Sequence, residues 1–182
     1  MHHDLSTLLE RFHDHPAAIT FADVSLPNQP LIFANRAFSK MTLYDAADVI
    51  GKNCRFLQGE KTNRSDIDLI REDISERRHT FRCILNYRKN GSTFHNILML
   101  SPVDRTKYPG LFLGCQYEFA EHVTVEALRE HFFRSREVRE QISNLSERSD
   151  SIKLRQMRIK SEAIQLQIEA HLLSRGLLAD RP

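Results

Sequence analysis

A chain of 182 residues with 26 Lys and Arg against 24 Asp and Glu carries a formal charge of +2, too balanced for a protein built to hold phosphate backbones. No apolar run is long enough to span a bilayer, and the start, Met1-His2-His3-Asp4-Leu5, lacks the basic and apolar regions of a secretory signal. Cys54, Cys83 and Cys115 are odd in number and none lies in a CxxC pair; neither a disulfide framework nor a metal site follows, and a reduced, cytoplasmic setting is the simplest reading.

In chain order, residues 5–13 predict a short amphipathic helix with Leu5, Leu8, Leu9 and Phe12 on one stripe. Residues 18–22 predict a strand, 26–30 a turn, and 31–34 a second strand. Two short helices are expected over 35–41 and 43–49, and a longer one over 63–77 with Ile67, Ile70 and Ile74 on one face. Residues 80–87, 92–100 and 111–119 predict three further strands, the first two joined by an Asn90-Gly91 hairpin turn. Five strands, with helices gathered between the second and third, describe an antiparallel α+β domain.

Every glycine and proline except Gly176 and Pro182 lies between Pro16 and Gly114. A turn-rich body is therefore followed by an extension without helix breakers. The expected organisation is a helical cap over 1–15, a body over 16–120 and an all-helical extension over 121–182. Within that extension Val138, Ile142, Leu145, Ile152, Ile159, Ala163, Leu166, Ala170 and Leu173 recur at steps of the coiled-coil type, with Ser149 and Gln156 as interruptions. The polar stretch 144–151 favours two helices, the second capped by Ser149-Asp150-Ser151, over one unbroken rod. Such a seam needs burial against the body, a second copy or another protein; a homodimer is expected. The extension has eleven basic and ten acidic residues, which argues against nucleic acid as its partner.

The chemistry concentrates in Gly51-Lys52-Asn53-Cys54-Arg55-Phe56-Leu57-Gln58-Gly59. Cysteine is usually a buried small hydrophobe, but Cys54 stands between an amide and a guanidinium, which suits a thiol facing a polar ligand. Asn53, Gln58, Asn86, Asn96 and Gln116 offer carboxamides able to meet mixed donors and acceptors, and three of them fall on predicted strands, where amides are depleted. Arg55 and Arg71 are cationic forks suited to phosphate. Leu57, Ile74, Leu98, Leu100 and Phe112 can supply apolar walls. Taken singly, Asn53 and Gln58 could instead cap local turns, Arg71 could be a solvated helix residue, Asn86 could begin the hairpin, and Leu98 and Leu100 could be plain core. Together they describe a pocket for a ligand with polar edges and apolar faces.

The nine-residue run, with the order of these groups over about residues 19–119, resembles the LOV (light, oxygen, voltage) domains of the PAS superfamily. That resemblance implies a PAS-like five-stranded antiparallel sheet with helices on one face, binding FMN. It implies that Cys54 bonds reversibly to the flavin under blue light, that Asn53, Arg55, Leu57 and Gln58 touch the flavin, and that Arg55 and Arg71 hold its phosphate. Asn86 and Asn96 would meet the ring's pyrimidine edge, and Gln116 would face N5 and report its change from acceptor to donor. Cys83 and Cys115 read as core thiols, Cys115 near the flavin. Ala22 and Gln29 stand where many LOV domains have threonine and asparagine, Lys61 where an acidic residue is common, and His95 where an aromatic is frequent.

No kinase, cyclase or DNA-binding motif follows the body, so the chain resembles a short bacterial LOV protein, not an enzyme, signalling through its helices or its dimer state to an unknown downstream protein. Two other functions compete: a PAS-type flavin redox or ligand sensor that leaves Cys54 unused, and a helical adaptor.

Overall fold

The structure, a computed structural model, describes residues 5, 6, 9–103, 106, 108–119, 134, 137, 138 and 141. The chain divides into two units, Met1–Ala120 and Glu121–Pro182, and every element named below belongs to the first. The seam expected beyond Glu121, Val138 aside, lies outside the described residues.

Five strands form: β1 Ala18–Asp23, β2 Leu31–Ala34, β3 Thr80–Tyr87, β4 Thr93–Pro102 and β5 Leu111–Phe119. They form one sheet in the order β2-β1-β5-β4-β3, every neighbouring pair antiparallel. The first and last strands thus lie side by side at its centre, with Ala18 opposite Gln116 on one side of β5 and Leu98 opposite Gln116 on the other. Side chains alternate between the faces of a strand, so Thr20, Ala22, Asn86, Asn96, Leu98, Phe112 and Gln116 share one face. Three helices, α1 Arg36–Thr42, α2 Ala46–Val49 and α3 Arg64–Ser75, and a 3-10 helix over Cys54–Leu57 connect β2 to β3.

The predicted helices shift at their ends for local reasons. Asn35 caps α1 and does not belong to it: its Oδ1 accepts from Phe38 N at 3.0 Å. The helix expected from residue 43 begins only at Ala46, because Leu43 closes α1 in the left-handed region at φ 63°. Asn63 caps α3, accepting from Ser65 N at 3.0 Å, and Arg77 at φ 52° lies beyond its end. The amino-terminal helix is interrupted by a turn over residues 11–14, where Phe12 N donates to Leu9 O. β4 runs on to Pro102, two residues past the expected end.

Asn35 also ties that amino-terminal turn to the sheet. Its Oδ1 accepts from Ile19 N at 2.9 Å, and its Nδ2 donates to the carbonyls of Phe12, His15 and Ala17 at 3.2, 3.1 and 2.8 Å. Phe12 then packs on Phe21 of β1 with ring centroids 5.9 Å apart. One buried carboxamide satisfies an orphan helix donor and three carbonyls of the segment that leads into β1.

Candidate functional site

The inner sheet face, the 3-10 helix and α3 line a cavity. Its strand lining follows the two-residue period: Thr20 and Ala22 from β1, Ile84 and Asn86 from β3, Asn96, Leu98 and Leu100 from β4, Phe112, Gly114 and Gln116 from β5. From α3 come Ile67, Ile70, Arg71 and Ile74, at the three- and four-residue steps of one helical stripe. Its space, open mouth and adjoining solvent included, is about 960 Å³. Ile67, Ile70, Ile84 and Leu98 pack together as an apolar cluster at one wall, with Ile74 and Leu100 beside them.

A row of polar side chains crosses the opposite part of the sheet. Asn96 Nδ2 donates to Asn86 Oδ1 at 2.9 Å and to Gln116 Oε1 at 3.2 Å, and Gln116 Nε2 donates to Thr20 Oγ1 at 3.2 Å. All four residues are buried, none above 3% exposed. The row therefore runs across β3, β4, β5 and β1, four consecutive positions of the sheet order. One atom is left over: Asn96 Oδ1 is buried with no hydrogen-bond partner. A buried carbonyl without a donor costs about 1–3 kcal/mol, so this atom asks for a ligand donor.

Cys54 opens the 3-10 helix at another wall. Its sequence neighbours suggest a thiol facing a ligand, and the structure places it in the cavity wall while also packing it on an apolar cluster. The thiol packs against the cluster of Ala18, Leu31, Ala34, Phe38, Val49 and Leu57, and burial pushes its pKa up to about 12. It is a neutral thiol at any ordinary pH. Asn53 serves the backbone: its Oδ1 accepts from Arg55 N at 2.9 Å, and its Nδ2 donates to Asn28 O and Gln29 O at 2.7 and 3.3 Å. Phe56 anchors the helix against Tyr44, ring centroids 4.8 Å apart. Gly59 ends the motif against the Tyr87 ring, which a Cβ would strike.

All thirteen residues singled out from the sequence line this cavity: Cys54, Asn53, Arg55, Leu57, Gln58, Arg71, Ile74, Asn86, Asn96, Leu98, Leu100, Phe112 and Gln116. Arg71 is exposed at its rim and holds Asp68 at 2.7 Å. Ala22 and Gln29, noted as departures from the LOV pattern, line it too. Cys115 does not: Gly114 and Gln116 face the cavity, and the residue between them is buried on the other face. Thr20, Val24, Leu31, Ile67, Ile70, Ile84 and Gly114 also line it and were not singled out from the sequence. For Thr20 the alternation with Ala22 was the available signal, and for Ile67 and Ile70 the stripe they share with Ile74.

Among the described residues, no group of three or more His, Cys, Asp or Glu is placed to hold a metal ion, and no helix is long and apolar enough to cross a membrane. A flavin fits the donor set that is present. Its ring offers carbonyls, an N–H and an acceptor nitrogen along one edge and two apolar faces, matching the amide row and its unpartnered oxygen on one side and the isoleucine and leucine walls on the other.

Comparison with known proteins agrees with this geometry. Residues 16–116 match the PAS domain family. Phototropin-2 of Oryza sativa subsp. japonica is 35% identical over 136 residues, covering 74% of this chain and 14% of that protein. Blue-light-activated histidine kinase 2 of Erythrobacter litoralis (strain HTCC2594) is 35% identical over 130 residues, 71% of this chain and 38% of that protein. The chain thus spans well under half the length of these curated relatives. Among solved structures, the d2 variant of RsLOV is 31% identical with a TM-score of 0.79, covering 93% of this chain and 97% of that one.

Proposed function

The chain belongs to the PAS family, in its LOV branch, and on that premise we propose that it senses blue light through bound FMN and a reversible bond between the flavin and Cys54. The observation that carries the reading is the placement of a neutral thiol and a buried amide row, one donor short, around one cavity. The names of its relatives, a phototropin and a blue-light-activated kinase, support light as the stimulus.

Flavin excited by blue light would supply the electrophilic carbon to which sulfur bonds. Cys54 brings both parts of the reaction. With flavin bound, its S–H would supply both the sulfur and the hydrogen that the photochemistry takes up, so no outside acid would be needed. Keeping the thiol protonated makes that hydrogen available in the dark. Asn86, Asn96 and Gln116 orient the polar edge, the isoleucines of α3 and the leucines of β4 exclude water from its faces, and Arg55 and Arg71 at the rim bind the phosphate. A carboxamide beside a flavin nitrogen that had gained a hydrogen would gain by turning its oxygen inward. Gln116 is that carboxamide, three residues from the end of β5.

We assign the sensor to residues 16–120 and the output to 121–182, with a second copy of this chain as the partner of its apolar seam. No enzymatic step is assigned to either part. One spectrum tests the reading: the purified chain is yellow, blue light bleaches it, and colour returns in darkness. Cys54→Ala keeps the colour and loses the bleaching. A colourless chain refutes the flavin, and a yellow chain that never bleaches leaves a flavin redox sensor. Elution by size in darkness and under blue light tests the dimer; one monomeric position in both would refute it.

A further inference from the structure

Thr20 closes the amide row at the far end from Asn86, and neither the motif nor the apolar stripes account for it. Its hydroxyl is buried in the cavity wall and is the acceptor for Gln116 Nε2 at 3.2 Å. With Asn96 donating to Gln116 Oε1 at 3.2 Å, the carboxamide is held at both ends, and only one orientation satisfies both neighbours. A reversed Gln116 would set its NH2 against the Asn96 NH2 and its oxygen against Thr20. The two neighbours differ in what they can do next. A carboxamide such as Asn96 presents a donor only from its nitrogen and must itself reverse, whereas a hydroxyl both donates and accepts without moving its oxygen.

The backbone opposite Thr20 is shaped for this contact. Gly114 is its direct partner in the β1–β5 register, and a Cβ on Gly114 would lie 2.5 Å from Thr20 Oγ1 and 3.7 Å from Gln116 Nε2. Glycine leaves room for the hydroxyl and the amide to meet. Ala18, the residue opposite Gln116 on β1, carries no polar group, so within that strand pair the hydroxyl of Thr20 is the polar group offered to the amide.

We propose that Thr20 is a positioning residue for Gln116: as acceptor it fixes the resting orientation of the carboxamide, and as donor it admits the reversed one. This rests on the light-sensing reading for its functional meaning, but its structural half does not. Reversal of Gln116 would then draw Asn96 with it, because that neighbour cannot switch role in place, and Asn96 Oδ1 would gain the Gln116 NH2 as a donor.

The test compares Thr20→Val, which keeps the shape and removes the hydroxyl, with Thr20→Ser, which restores it, in the full chain. In the dark, nitrogen-15 spectra follow the side-chain NH2 of Gln116. Thr20→Val should speed its hydrogen exchange by about tenfold, the loss of one buried hydrogen bond, and Thr20→Ser should hold it within about twofold of the parent. Light-minus-dark infrared spectra should show the Gln116 carbonyl band displaced in Thr20→Val and restored in Thr20→Ser. If the valine and serine variants behave alike, or the Gln116 NH2 is indifferent to both, the proposal is overturned. A chain that takes up no flavin would sink the light-sensing reading, while the dark amide signals would still decide for or against Thr20.

Discussion

Asn96 donates one NH2 group to both Asn86 and Gln116, at 2.9 and 3.2 Å, while its own Oδ1 is buried without a partner. A native fold keeps such an atom only where something else is served by it. Asn96→Leu should lower affinity for FMN by about tenfold to a hundredfold, the loss of a buried polar contact, measured by quenching of flavin fluorescence on titration. Unchanged affinity would remove Asn96 from the binding wall.

The thiol of Cys54 should be slow to alkylate. Burial raises its pKa from 9.0 to about 12, so near neutral pH the thiolate is scarcer than in a free thiol by about a thousandfold. Iodoacetamide labelling followed by mass spectrometry should find Cys54 largely unmodified when an equal concentration of free cysteine is consumed. The same shift fixes a pH dependence. Above pH 9 the unfolded chain loses a proton that the folded chain retains, so the stability contributed by the neutral thiol is complete below pH 9 and declines as pH rises towards 12. Cys54→Ala should flatten that part of the stability profile; an equal decline in both proteins would assign it elsewhere.

Asn35 should be the costliest single cap to lose. Alanine there strands Ile19 N and Phe38 N and frees the carbonyls of Phe12, His15 and Ala17. Urea denaturation should show a loss of about 2–4 kcal/mol, a cap plus buried donors left unsatisfied. Asn35→Asp should not rescue it, since a carboxylate cannot donate to three carbonyls and would bury a charge. A loss under half a kcal/mol would contradict the tie between turn and sheet.

Gly114→Ala should destabilise the chain by about 1–3 kcal/mol, an overpacked contact with Thr20. Because the clash is with Oγ1 at 2.5 Å, adding Thr20→Ala should recover part of that loss. A double-mutant cycle on thermal unfolding measures the coupling; strict additivity would place the strain elsewhere.

Much of the sheet was legible without the fold. β2, β3 and β5 fall on the expected residues, because short apolar runs bounded by turn residues are written in the chain itself. The 3-10 helix at Cys54–Leu57 was not foreseen, since four residues hold no period to read. Helix ends moved where a single side chain or backbone angle decided them, Asn35 and Leu43 above all.

The residues of the site were therefore set by the sequence: a motif of nine residues, amides on three strands, an arginine and an isoleucine on α3, and apolar residues of β4 and β5 name the thirteen candidates that the cavity gathers. Their relations were not. That Asn96 binds Gln116 and that Thr20 receives its other end follow from pairing β1 with β5 and β5 with β4. That Cys54 packs on an apolar cluster follows from the docking of the 3-10 helix beside β1, β2 and the helices after them. Periodicity is a property of near neighbours in the chain, whereas a hydrogen bond across strands depends on register between segments up to 96 residues apart. Only the folded sheet supplies that register.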